Sequence, residues 1–174
     1  MCRVDRRRAA IVRIVYSHVG DDYDCILCRG IRGESGPATL VHETDVVDRN
    51  DLAVVAVCPY FFGNNPGHVI VVPTAHFENL YAMPADYLHA CVDMAQSMAL
   101  TIKEAYGAAG ITLRQNNEPA GGQTALHFHI HVYPRYFDDG YDDHPGEYLV
   151  EPVERAKWAQ RLRTASAGRT GWRL

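Results

Sequence analysis

No stretch of this 174-residue chain approaches the roughly 20 consecutive apolar residues needed to cross a bilayer, so a membrane partner is not expected. A large basic surplus is missing too. The net charge of -4 and pI near 6.1 do not suit a surface that tracks a nucleic-acid backbone by displacing counterions, so any phosphate recognition has to be local. A disulfide framework is also absent: the five cysteines are an odd number, and two of them sit close together as Cys25-Ile26-Leu27-Cys28, a spacing that suits one metal ion better than a long-range cross-link. Internal repeats, low-complexity tracts and a second domain are lacking, and one domain of this length buries about two-thirds of its unfolded surface without staples. The start of the chain carries Arg3, Arg6, Arg7, Arg8 and Arg13, but no apolar run of signal-sequence length follows, so the expected compartment is the cytoplasm. This basic arm is expected to be a solvated tail.

Hydrophobic residues at 47% and charged residues at 22% are ordinary globular composition. Two strands are expected at 40–47 and 52–58, separated by the polar turn Asp48-Arg49-Asn50-Asp51, and a third at 68–72 after Asn65-Pro66-Gly67. Over 85–105, Leu88, Cys91, Ala95, Met98, Ile102 and Ala105 recur at steps of three and four, which predicts one amphipathic helix ended by Gly107, with Cys91 in the core. Further strands are expected at 111–115 and 124–133, the latter closed by Pro134, and a terminal helix at 152–165. Aspartates 138, 139, 142 and 143 crowd a loop. The order implies an α+β fold with an antiparallel sheet of about five strands, one long amphipathic helix and a terminal helix.

The densest chemistry is His127-Phe128-His129-Ile130-His131. In a strand, alternate side chains share a face, so three imidazoles would line one surface while Phe128, Ile130 and Val132 pack inward. Burying three histidines for packing alone is costly unless every ring nitrogen finds a partner. Two chemistries suit such a set: ligation of a catalytic metal, or attack by one imidazole on phosphorus to form a covalent phosphoramidate. The preceding turn favours the second. Gly121 and Gly122 let the backbone approach an anion, and Asn116, Gln123 and Thr124 add neutral donors suited to phosphate oxygens.

The run from Gln123 through His127, His129 and His131 to Tyr133-Pro134-Arg135 resembles the histidine triad signature, and Asn65 to Pro73 is similar to that family's Pro-Gly-His strand. The similarity spans roughly 24–136. The resemblance implies residues 1–20 as a basic arm, 21–137 as the triad domain and 138–174 as a C-terminal extension with a helix. It implies His129 as nucleophile, His131 beside the leaving group, His68 as a further active-site histidine, and Asn116, Gly122, Gln123 and Thr124 at the phosphates. It also implies a homodimer, with an apolar contact offered by the long helix and its neighbouring strand, and a purine nucleotide or dinucleotide as substrate.

A subgroup of this family carries structural zinc, and the resemblance implies Cys25, Cys28, His76 and His127 as its ligands here. A Cys2His2 site with all four positions filled by protein cannot activate water, so the metal is expected to be structural. The chain departs from the pattern before the Pro-Gly-His strand, where relatives place a ribose-gripping Asp or Asn and this chain has Val57-Cys58-Pro59-Tyr60-Phe61-Phe62. Tyr60, Phe61 and Phe62 suit base stacking, a core or a dimer contact equally. The expected activity is that of a nucleotide hydrolase or nucleotidyl transferase acting at an α-phosphate of a phosphoramidate or dinucleoside polyphosphate. The alternatives are a non-catalytic nucleotide-binding or sensing module and, disfavoured by the lack of an acidic residue in the strand, a metal-dependent hydrolase.

Overall fold

The computed structural model describes residues 17–20, 22–34, 39–144 and 146–168, so the arginines at 3, 6, 7, 8 and 13 of the basic arm lie outside the described residues. The fold is α+β. Five antiparallel strands, β1 (Val46–Arg49), β2 (Ala53–Val57), β4 (Val69–Pro73), β5 (Gly110–Arg114) and β6 (Ile130–Arg135), form one sheet in the order β1-β2-β4-β6-β5. Two shorter strands, β3 (Tyr60–Phe62) and β7 (Glu147–Leu149), pair as a separate ribbon. A short helix α1 (Ile26–Ile31), the long helix α2 (Ala85–Tyr106) and the terminal helix α3 (Pro152–Ala167) complete the chain. No helix among the described residues is long and apolar enough to cross a membrane.

Strand parity decides which face becomes which. Val55 and Val57 of β2, Val69 and Val71 of β4, and Ile130 and Val132 of β6 point to one side, where they meet Cys91, Ala95, Met98 and Ile102 of α2 and Ala159 and Leu162 of α3. Since α3 fills the same core, the described part of the C-terminal extension is built into the domain. The apolar stripe of α2 is consumed by this packing, and Val92 and Leu100 of α2 and Leu113 of β5 are what stays exposed. On the opposite face Ala56, Ile70 and Val72 pack against Cys25 and Leu27 at α1. Helix α2 ends as its sequence requires, with Gly107 at φ 68 in the left-handed region that glycine enters without cost.

The ends of two expected strands differ. Residues 43–45 form a 3-10 turn in place of a strand that begins at 40, because Asp45 folds back to accept from the His42 N–H and is gripped by Arg155. Asp48 and Arg49 therefore belong to β1, and the turn tightens after them where Asn50 Oδ1 accepts from the Leu52 and Ala53 N–H groups. The last core strand starts at Ile130, six residues later than expected. Over 124–129 the backbone turns away from the sheet: the His127 N–H donates to Ala125 and the Phe128 N–H to the carbonyl of Phe77. Pro134 lies inside β6, past the point where pairing with β4 stops at Val132, so its missing N–H breaks no bond on that side.

The Asp45–Arg155 pair is almost fully buried, with Arg155 Nε and Nη2 donating to the two Asp45 oxygens at 3.1 and 2.8 Å, while Nη2 also donates to the Leu40 carbonyl and Nη1 to the Val150 carbonyl. Removing one partner strands the other charge. Arg155→Met is therefore expected to destabilise the fold by about 3–5 kcal/mol in a denaturant titration, and Asp45→Asn in the same chain to recover part of that. A loss below about 1 kcal/mol would show that the pair does not anchor α3.

Candidate active site and metal centre

The three triad histidines do not share one surface. Because 124–129 leaves the sheet, the His127 ring turns toward α1 and His76, at 4.8 Å between centroids, while His129 and His131 stay together in a cleft, also 4.8 Å apart. The segment is split between two sites with different chemistry.

At the first, Cys25 Sγ and Cys28 Sγ lie 3.3 and 3.4 Å from His127 Nδ1, and Cys28 Sγ lies 3.5 Å from His76 Nδ1. All four donor atoms fall within 4.8 Å of one another. A tetrahedral zinc with Zn–S near 2.3 Å and Zn–N near 2.05 Å separates sulfur from nitrogen by about 3.5 Å, so the donor set has the span the ion needs. The tautomer fits as well: His127 Nε2 lies 3.2 Å from the Pro73 carbonyl, which can only accept, so that nitrogen carries the proton and Nδ1 presents its lone pair to the cluster. Burial and the neighbouring Cys25 push the Cys28 thiol up to about 12, the cost of placing thiols here without a cation. No disulfide forms among the described cysteines.

At the second, the cleft of about 160 Å³ is lined by Ile70, Cys58, Tyr60, Arg114, Asn116, Gly122, Thr124, His129, His131 and Glu147, with α1 along one side. His129 Nδ1 sits 2.7 Å from the His127 carbonyl. That oxygen has no proton to give, so Nδ1 is the protonated nitrogen and the lone pair resides on Nε2. Burial lowers the pKa of His129, and Arg114 lowers it further against the opposing effect of the His127 carbonyl. The free imidazole is thus neutral near pH 7, which is the nucleophilic state.

His131 stands directly across from Ile70 on β4 and Arg114 on β5. Burial, with His129, His68 and Arg114 nearby, holds it well below the ordinary histidine value. His68 is completely buried under the cleft and stacked on Tyr133 at 4.3 Å; burial first, then Arg114 and His129, lowers its pKa to about 3. Neither His68 ring nitrogen, nor His131 Nδ1, has a hydrogen-bond partner among the described residues. Cys58 lies beside both, with one donor atom from each of the three within 4.8 Å.

The phosphate-turn candidates divide. Asn116, Gly122 and Thr124 line the cleft, with Asn116 Nδ2 donating to the Gly122 carbonyl at 3.0 Å. Gly122 holds φ 82, a backbone state L side chains rarely adopt. Gln123 is turned away: its Oε1 accepts from the Glu118 N–H at 2.7 Å and its Nε2 donates to the Glu78 and Ala125 carbonyls, so both ends of the amide shape the turn. Of the aromatic cluster, Phe61 and Phe62 are core, packed on Trp158, Tyr133 and Tyr141, and only Tyr60 reaches the cleft. The Pro-Gly-His segment is structurally determined, since any Cβ on Gly67 would meet the Trp158 ring of α3. Asn65 is tied to β6 through Asp139, which also binds Arg135 and the Tyr136 and Tyr141 N–H groups. Arg114 and Glu147 were not among the candidates. Their only signal lay in strand register: Arg114 falls within an expected strand but becomes a site residue by facing His131.

Comparison with known proteins agrees with this architecture. The family model for the HIT domain matches residues 39–138. An uncharacterized HIT-like protein of Methanocaldococcus jannaschii is 35% identical over 116 residues, covering 67% of this chain and 82% of that protein. The adenylylsulfatase HINT3 of Arabidopsis thaliana is 31% identical over 115 residues, 64% of this chain and 52% of the plant protein. Among solved structures, a zinc-bound histidine triad family protein from Mycobacterium smegmatis superimposes with a TM-score of 0.67 at 22% identity, over 83% of this chain and 94% of that one.

Proposed function

Because the chain belongs to the HIT domain family, whose triad it carries intact, we propose that it is a nucleotide hydrolase or nucleotidyl transferase working through a covalent nucleotidyl-histidine. The observation that carries this is the 2.7 Å contact from His129 Nδ1 to the His127 carbonyl, which leaves the Nε2 lone pair available and gives the charge that develops on the ring a fixed dipole. His129 Nε2 forms a bond to the α-phosphorus while the bond to the leaving group breaks. The electron pair goes to the departing atom, which takes a proton relayed through His131; the imidazole, neutral in the free chain, acquires that proton as the anionic phosphate binds beside it. Water or another acceptor then attacks phosphorus, its proton passing to His131 as the bond to Nε2 breaks and the neutral imidazole of His129 returns. Asn116, Thr124 and the backbone at Gly122 hold the phosphate oxygens, with Gln123 bracing the turn, and His68 supports the floor beneath His131.

Cys25, Cys28, His76 and His127 are assigned to one structural zinc ion. The donor chemistry and spacing support it, and a fourfold protein set leaves no position for substrate. The metal's contribution is positional: fixing His127 fixes the carbonyl that selects the His129 tautomer.

A turnover screen with product identification tests the activity: adenosine phosphoramidate, diadenosine tri- and tetraphosphate, and adenylyl sulfate, with release of a nucleoside monophosphate expected from at least one. Binding of nucleotide without turnover of any of them would leave a sensing module in its place. A homodimer belongs to this proposal, using the exposed Val92, Leu100 and Leu113, and light scattering of the same sample at micromolar concentration should return twice 19.4 kDa. A monomer mass would remove the dimer and leave the chemistry standing.

A further inference from the structure

Arg114 ends β5 directly opposite His131. Side chains paired across antiparallel strands share a face and stand about 5 Å apart at Cβ, so a guanidinium is placed beside the histidine assigned to the leaving atom. Among the residues lining the cleft, Arg114 is the one permanent cation. Its position is held by aromatic rings rather than by a strong ion pair: its guanidinium carbon lies 5.2 Å from the Tyr133 centroid and 5.7 Å from that of Phe62. The carboxylate of Glu147 reaches it only at 3.4 Å and is half-exposed, and Arg114 Nε is buried with no hydrogen-bond partner among the described residues. A guanidinium has five N–H donors; Glu147 takes one at long range and the Tyr141 side chain faces another, and Arg114 also lines the cleft, where its remaining donors are available to an anion.

We propose that Arg114 sets the leaving-group preference of the site, favouring substrates that release a tetrahedral oxyanion, phosphate-ended or sulfate, over those that release an amine. The inference rests on the hydrolase proposal above. As the bond to phosphorus breaks, an oxyanion group gathers negative charge next to Arg114, and the fixed guanidinium stabilises that charge more in the transition state than in the bound substrate. A departing amine gathers none once it takes its proton, and gains nothing from the cation. Glu147 moderates the effect by neutralising part of the guanidinium charge.

The test compares kcat/KM for diadenosine triphosphate, adenylyl sulfate and adenosine phosphoramidate in the full chain and in Arg114→Met, Arg114→Lys and Glu147→Gln. In Arg114→Met the ratio of the oxyanion substrates to the phosphoramidate should fall roughly 10- to 100-fold, the size of one charge-assisted contact. Arg114→Lys should restore part of the ratio, and Glu147→Gln should raise it. Separate responses to the triphosphate and the sulfate identify which oxyanion the site was built for. An equal fall on all three substrates, or an unchanged ratio, would overturn the inference while the hydrolase proposal survived. A wild-type chain that turns over none of the three would overturn the hydrolase proposal itself, and this inference with it.

Discussion

His129→Ala is expected to lower turnover by roughly 10⁴- to 10⁶-fold, the range seen when a covalent nucleophile is removed from a site that otherwise stays assembled. Binding of a nucleoside monophosphate, read by calorimetry, should change by no more than a few-fold. The two effects separate because the nucleophile lowers the barrier in reaction, whereas ground-state affinity comes from the phosphate turn around Asn116, Gly122 and Thr124 and from the walls of the cleft. His129→Gly opens space for a diffusible imidazole and is expected to regain a measurable part of the activity when imidazole is added. No such rescue is expected for His131→Gly: it is half-buried, flanked in register by Ile70 and Arg114, and acts at the leaving atom, so its loss should fall hardest on substrates whose departing group needs a proton. Normal turnover by His129→Ala would remove the nucleophile assignment outright.

The second large effect concerns the Cys25, Cys28, His76, His127 cluster. Protein purified without added metal is expected to carry about one equivalent of zinc, and Cys25→Ser to lose most of it. Leaving the remaining thiol and imidazoles buried with an incomplete set should cost about 3–5 kcal/mol, comparable to breaking a buried ion pair. At this chain length that corresponds to a fall in Tm of roughly 6–20 °C. Activity should fall as well, because His127 contributes both a ring nitrogen to the cluster and the carbonyl that orients His129. A metal-free chain of unchanged Tm would reject the zinc assignment and leave the four residues as a buried polar cluster.

Much of this molecule was legible in its residues, for identifiable reasons. Helix α2 followed from its three-and-four spacing and Gly107, and β2 and β4 from unbroken apolar runs bounded by turns, since both are buried on both faces of the sheet. What escaped depends on partners distant in sequence. The ribbon pairs Tyr60–Phe62 with Glu147–Leu149, and nothing local in the exposed Glu147–Leu149 segment marks it as a strand. The 3-10 turn at Glu43–Asp45 exists because Arg155, 110 residues away, draws Asp45 inward. Strict alternation through His127, His129 and His131 suggested one surface, but the pull of Cys25, Cys28 and His76 on His127 and the bond from Phe128 to Phe77 bend the chain before the sheet begins. The same limit hid Arg114, whose meaning comes from register alone.

The central claim is a covalent bond between His129 and the α-phosphorus, and rapid quench with substrate labelled at that phosphate tests it most directly. The wild-type chain should acquire label in an acid-labile, base-stable form within one turnover, peptide mapping should place it on His129, and His129→Ala should acquire none. Steady turnover by the wild-type chain with no protein-bound label at any quench time, and label unaffected by the His129 substitution if it does appear, are the results that would contradict it.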